Sequence, residues 1–176
     1  MAWDEHFLND IIDKAIEYQR YVRKRDKAHY QTALRLRARE RTLGIPVVIL
    51  TAVVGTAIFA TLQTTTSLVW EIVTGLLSVT AAVLASLQTF FNFSAEAARH
   101  EAVAARYGQL WRKFDSFILR HQSQASTRDQ CLDAFQEIIT DMDELEADTP
   151  RIANKIWQDV KAAAERERQL THAPNP

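Results

Sequence analysis

The sequence predicts an all-α membrane protein: a two-helix transmembrane hairpin with long cytoplasmic helices packed as a bundle. Three observations carry that prediction. Two nearly uncharged runs of membrane-spanning length lie side by side, a short polar connection joins them, and breakers are scarce everywhere else. The chain has 176 residues, a formal net charge of −1, four glycines and four prolines. That breaker usage is far below average, and with abundant Ala, Leu, Glu, Arg and Gln it favours long helices. The mean hydropathy of −0.20 would by itself suggest a soluble chain. The average conceals two concentrated apolar blocks.

The first block, Leu43 to Leu62, reads LGIPVVILTAVVGTAIFATL and contains no charge. About 20 residues cross ~30 Å of hydrocarbon. The second, Leu68 to Phe93, carries Glu71 as its only charge, in its first turn. A buried hairpin in a soluble bundle is the competing explanation, but two such segments rarely sit together in a small soluble chain. Residues 63–67, QTTTS, are short enough to require a tight antiparallel hairpin. Arg35, Arg37, Arg39 and Arg41 precede the first span, and Arg99, Arg106, Arg112 and Lys113 follow the second. The positive-inside rule then puts both termini in the cytoplasm. Trp70 suits the outer interface, and Phe90, Phe91 and Phe93 the inner one. Pro46 is expected in the first turn of the span, where its missing N–H costs little, and Gly44 as a flexible point before it. The polar N-terminal stretch has no apolar h-region, so insertion is expected to use the internal segments.

The flanking residues divide into a cytoplasmic N-terminal region (1–42), a continuation of the second span (94–122), two C-terminal helices (123–170) and a tail (171–176). Trp3, Phe7, Ile11, Ala15 or Ile16, Gln19 and Val22 recur at helical spacing. The pattern lapses over residues 23–27 and resumes at Tyr30, Ala33 and Leu34, which fits two helices or one with a polar middle. Ala97, Ala104, Trp111 and Ile118 are seven apart, as are His100, Tyr107, Phe114 and His121, forming a seam fit for bundle packing. Thr127 and Gln130 make a capping box. Leu132, Phe135, Ile138, Ile139, Met142 and Leu145 then form one face. Thr149-Pro150 is expected to start the last helix, with Ile152, Ile156, Val160 and Ala163 on its inner side.

Taken together, LRLRARERTLGIPVVILTAVVGTAIFATL and LSVTAAVLASLQTFFNFSAEAARHEAVAARYGQLWR resemble the SLATT domain, a two-transmembrane effector module of prokaryotic conflict systems. The resemblance is clearest from Leu34 to about Arg112. It implies action at the prokaryotic inner membrane in anti-phage defence. The implied effect is to form a pore or disrupt the bilayer, so that the infected cell stops growing or dies. It also implies a separately encoded enzyme or sensor of a nucleotide second messenger as partner, since no sensor domain is evident in this chain.

Enzyme chemistry is not legible. There is no GxGxxG, P-loop, HExxH or CxxC pair, and the acidic run from Asp141 to Asp148 lacks EF-hand spacing. No cofactor, metal or nucleic-acid partner is expected. His100 and His121 suit seam packing better than metal ligation, and the lone Cys131 suits a small buried position. Expected partners are the lipid bilayer and further copies of the chain, since two helices cannot enclose a pore. Glu71, Thr74, Ser78, Ala81, Ala85, Gln88 and Asn92 share one helical face and are the candidate pore lining, because polar groups in a span face protein or water rather than lipid. The same face could instead serve close helix packing. Gly44, Val48, Ala52, Thr56 and Ala60 form a small face on the first span, a candidate packing surface. Trp111 and Phe114 are candidates for packing below the membrane. Arg35, Arg37, Arg39, Arg41 and Arg99 are candidates for lipid head-group contact or topology signalling. A non-conducting scaffold or receptor subunit is the alternative to a pore.

Overall fold

A computed structural model describes residues 2–61, 68–123 and 127–171, with side chains for 6–57, 68–121 and 127–170. Five helices follow in order: α1 (Ala2–Thr61), α2 (Leu68–Phe91), α3 (Phe93–Ser123), α4 (Arg128–Ala147) and α5 (Asn154–Thr171). No strand occurs among the described residues. The expected tight connection at 63–67 and the tail beyond Thr171 lie outside them. The helices form two compact units, a hairpin unit of residues 34–97 and a bundle unit of residues 1–33 with 98–176.

The N-terminal region is one helix, not two. α1 runs unbroken through the polar stretch and on through Gly44 and Pro46. Pro46 is therefore interior to a helix rather than in a first turn, and the Thr42 carbonyl lacks the donor that residue 46 would supply. Gly44 is not a hinge either. A Cβ there would meet Gln88 Nε2 at 3.3 Å, so glycine provides clearance for α2. The second span does not flow smoothly into α3. Asn92 interrupts it with φ 40°, a left-handed conformation that Asn tolerates better than most residues. Its N–H bonds the Gln88 carbonyl at 3.2 Å, and its own carbonyl accepts Ala95 N–H at 3.1 Å, which starts α3.

In the bundle unit one apolar core joins α1, α3 and α4. Ile11, Ala15 and Val22 of α1 meet Tyr107, Leu110, Phe114 and Ile118 of α3, and Cys131, Ile138, Met142 and Leu145 of α4. Burying a side chain such as Phe114 contributes about 2–3 kcal/mol. The α3 seam is buried at Ala97, His100, Ala104, Tyr107, Phe114 and Ile118. Trp111 and His121 are only half-buried.

Four expectations about faces need correction. Tyr30 and Leu34 are exposed; Ala33 is buried as expected, together with Ala28, His29 and Thr32. Leu132 is exposed while the adjacent Cys131 is fully buried; the rest of the expected α4 face, Phe135, Ile138, Ile139, Met142 and Leu145, packs in the core. Ala163 is exposed. Thr149-Pro150 does not open α5. Thr149 Oγ1 donates to the Leu145 carbonyl at 2.6 Å, closing α4, and α5 starts where the Ala153 carbonyl accepts Ile156 and Trp157 N–H. The capping box at Thr127 is present, with Gln130 Oε1 accepting Thr127 N–H at 3.4 Å. Asp141 is paired with Lys113 and Glu146 accepts from Tyr21 Oη at 2.8 Å, so the acidic run is partly engaged by the bundle.

Candidate functional site

Within the hairpin unit, α1 and α2 meet along two stripes. On α1 the half-buried positions from Leu43 onward are Leu43, Gly44, Val47, Leu50, Val54, Gly55 and Ala57. On α2 they are Leu77, Leu84 and the stripe of Thr74, Ser78, Ala85 and Gln88, with Ala81 at its centre only 5% exposed. This is the stripe that spacing marks as a pore lining, and in the single chain it is sheltered by α1. Its two ends behave differently, because Glu71 and Asn92 are exposed. Small side chains at Ser78, Ala81 and Ala85 let the two helices approach closely.

The outer surfaces of both spans are apolar, from Ile45, Val48 and Ile49 on α1 to Leu76, Val79 and Val83 on α2. The hydroxyls among them turn inward. Thr51 donates to Val47 O at 2.9 Å, Thr80 to Leu76 O at 2.9 Å and Ser86 to Ala82 O at 2.8 Å. Such back-bonding removes the cost of presenting an unpaired hydroxyl to hydrocarbon. Val48, Ala52 and Thr56 are exposed, so of the small face of the first span only Gly44 is seen to meet α2; the Ala60 side chain lies outside the described residues. Arg35, Arg37, Arg39, Arg41 and Arg99 are all exposed.

In the bundle unit, Phe114 is fully buried and stacks on Tyr18 at 6.1 Å between ring centroids. The Arg23 guanidinium lies over Trp111 at 5.6 Å. Beside them is a site that periodicity did not reveal. His29 Nδ1 lies 2.8 Å from His100 Nδ1, and the His29 ring stacks on Tyr107 at 5.6 Å. Tyr107 Oη is 3.4 Å from Thr149 Oγ1. His29, Thr32 and His100 are the buried polar residues among those described. His29 Nε2 is buried without a partner. One Nδ1 must donate to the other, and His29 is the better donor. Its Nε2 is then a bare lone pair, whereas the opposite tautomer would bury an orphan N–H, the rarer and costlier case. Burial, then the fields of His100 and Arg25, lower the His29 pKa to about 4. Burial likewise raises the Cys131 thiol. Among the described residues no group of three His, Cys, Asp or Glu could hold a metal.

Among the described residues two helices are long and apolar enough to cross a membrane, and the most apolar windows of the two are 0% and 6% buried. A soluble core helix would bury most of such a window. The chain matches the sequence model of the SMODS and SLOG-associating 2TM effector domain family 4 over residues 8–175. It belongs to that family. No curated protein and no solved structure matches it. As a SLATT protein the chain is a membrane effector of conflict systems, and α2 and the apolar half of α1 supply the two membrane segments that the family name describes. The match extends through α4 and α5, so the bundle unit is part of the SLATT domain and not an appended module.

Proposed function

We propose that this SLATT chain is a homo-oligomeric effector that permeabilises the prokaryotic inner membrane, arresting or killing the infected cell. The observation that carries the reading is the sheltered α2 stripe. A small and polar stripe, Thr74 to Gln88, is held against α1 while the outward faces are largely apolar; Glu71, at the end of the stripe, is exposed. Such a hairpin can sit inertly in lipid. In the active assembly α2 turns this face to a shared axis, with Glu71 at the outer mouth, Ser78, Ala81 and Ala85 at the constriction and Gln88 and Asn92 at the inner end. An acidic ring favours cations. The trigger comes from a separately encoded enzyme or sensor of a nucleotide second messenger, acting on the cytoplasmic bundle, and both termini are cytoplasmic.

The test is cysteine accessibility in liposomes, in a Cys131→Ser background. Charged thiosulfonates should block ion flux through variants carrying cysteine at Thr74, Ser78 or Ala85, and should leave flux unchanged at Leu76 or Val79. Block at Leu76 and Val79 alone would place the path on the other face. A second reading, a non-conducting scaffold, is favoured by one observation: Ser78 and Thr74 already bond their own helix at 2.9 Å, as groups in a simple packing contact would. Absence of flux from fully assembled protein would select it.

A further inference from the structure

At the inner end of the hairpin unit a groove of about 430 Å³ is lined by Glu40, Arg41, Gly44, Ile45, Val48, Ile49 and Gln88. Its chemistry is divided along its length. One end carries a carboxylate, a guanidinium and an amide. The other carries three branched aliphatic side chains that are 57–67% exposed. The division follows from sequence. Residues 41, 45, 48 and 49 fall on one side of α1, and the change from charged to apolar occurs at Leu43, where the uncharged run begins. From Arg41 to Ile49 the helix rises about 12 Å, so the groove reaches from the head-group layer into the first part of the acyl layer. Gly44 forms its floor. Any side chain there would close on Gln88 Nε2, 3.3 Å from the position of a Cβ.

We infer that this groove binds one phospholipid with a zwitterionic ethanolamine head group. Arg41 takes the phosphate and Glu40 the ammonium, the Gln88 amide lies between them, and one acyl chain runs along Ile45, Val48 and Ile49. A guanidinium presents a donor fork matched to phosphate oxygens. An adjacent carboxylate repels a purely anionic head group and rewards one that carries an amine. Glu40 and Gln88 also line a second, more polar groove of about 340 Å³ with Thr89, Asn92 and Ser94, which gives a hydrated ammonium room. Flexible hydrocarbon fills a shallow aliphatic channel without needing a matching side-chain relief, which a second copy of the chain would need. The inference rests on the membrane reading above.

The test uses the full chain in vesicles of equal parts phosphatidylethanolamine and phosphatidylglycerol. After mild detergent extraction, native mass spectrometry counts and identifies retained lipid. Expected is one retained phospholipid per chain, several-fold enriched in the ethanolamine form. Glu40→Gln should keep a lipid but return its composition to the bulk ratio. Arg41→Gln and the groove-filling Ile49→Trp should lose it, and Leu76→Trp on the exposed side of α2 should keep it. Wild-type lipid in the bulk ratio, or an ethanolamine preference that survives Glu40→Gln, overturns the site. So does an Ile45→Cys variant that cross-links between copies in high yield, because a second chain then fills the groove. Alkaline carbonate extraction separates the two levels. Release of the chain overturns the membrane reading and the lipid site together; retention without ethanolamine enrichment overturns the lipid site alone.

Discussion

Acid should loosen the bundle through His29, and the size of the effect follows from its surroundings. The folded-state pKa of about 4 lies below the ordinary 6.5, so the unfolded chain takes up a proton more readily. The associated stability is fully present above pH 6.5 and is lost as pH falls from there towards 4. A gap between folded and unfolded pKa values is worth about 1.4 kcal/mol for each tenfold change in proton affinity. The whole loss is then on the order of 3 kcal/mol, and about two-thirds of it is reached by pH 5. Each kcal/mol moves the midpoint by roughly 2–4 °C for a chain of this size, so the bundle should melt about 4–8 °C lower at pH 5 than at pH 8.

The groups facing the pair are Arg25 on α1, which adds positive field, Tyr107 on α3, Thr149 beyond α4, and Glu146, which acts on the Tyr107 phenol. Asp26 works in the opposite sense, because burial raises its carboxyl and acid then favours the folded form slightly. The control is His29→Phe combined with His100→Leu. Replacing both partners avoids leaving a buried nitrogen unpaired, which would cost about 1–3 kcal/mol, and Phe retains the stack on Tyr107. Thermal unfolding in detergent, followed by far-UV circular dichroism, should show the double variant within about 1 kcal/mol of wild type at pH 8, with most of the acid-induced drop gone. An equal drop in both proteins, or none in wild type, would refute the reasoning.

Other consequences are open to direct measurement. Ala81→Leu adds bulk where α2 meets α1, and overpacking of this kind costs about 1–3 kcal/mol; denaturant titration of the hairpin should show it, while Leu76→Ala on the exposed side should change little. Trp111→Asp should disturb the contact with Arg23 and destabilise the folded bundle, which a melt of the single chain will detect whether or not the oligomer changes. Lys113→Ala removes an exposed ion pair with Asp141 and should cost no more than about 1 kcal/mol. Cys131 should react slowly with an aromatic disulfide at pH 8 in the folded chain and quickly in denaturant, since burial both shields the thiol and raises its pKa. A periplasm-dependent reporter should be active when inserted at Thr65 and silent at either terminus.

How much is legible in the sequence depends on what kind of residue carries the information. The two spans stand out because a run without charge has few other homes, and most of the α3 seam stands out because Tyr107, Phe114 and Ile118 are large and regularly spaced. Where the core is made of small or polar groups, periodicity fails. At residues 28–33 the buried side is Ala, His, Thr and Ala; a pattern built on apolar residues finds Ala33 but adds the exposed Tyr30 and Leu34 and passes over Ala28, His29 and Thr32. The same bias adds the exposed Leu132 to the α4 face beside Cys131, whose burial is expected and found. Thr149-Pro150 misleads because a threonine before a proline can either open a helix or close one. Only the position of the Leu145 carbonyl, 2.6 Å from Thr149 Oγ1, decides between them.

The α2 stripe exposes a deeper limit of such patterns, and one that bears on function. Spacing shows that Thr74, Ser78, Ala81, Ala85 and Gln88 share a face; it does not say what the face meets. In the chain it meets α1, while the comparable small face of the first span, at Ala52 and Thr56, is the one left outside. The small and polar stripe of α2 is therefore sheltered against apolar side chains of α1 while most of the outward surface is apolar, an arrangement that costs little in lipid. An effector that must stay harmless until triggered needs such an arrangement, because a polar face already turned outward in the membrane would recruit partners or water without a signal. On the function proposed above, exchanging the α1 contact of α2 for contacts between copies is the energetic step that a trigger must drive. Substitutions on α1 that weaken this contact without touching the stripe, Leu50→Ala and Val54→Ala, should make the effector toxic without its trigger. If such variants are folded, inserted, weakened in hairpin pairing and still silent, sheltering of the stripe is not what keeps the protein inactive.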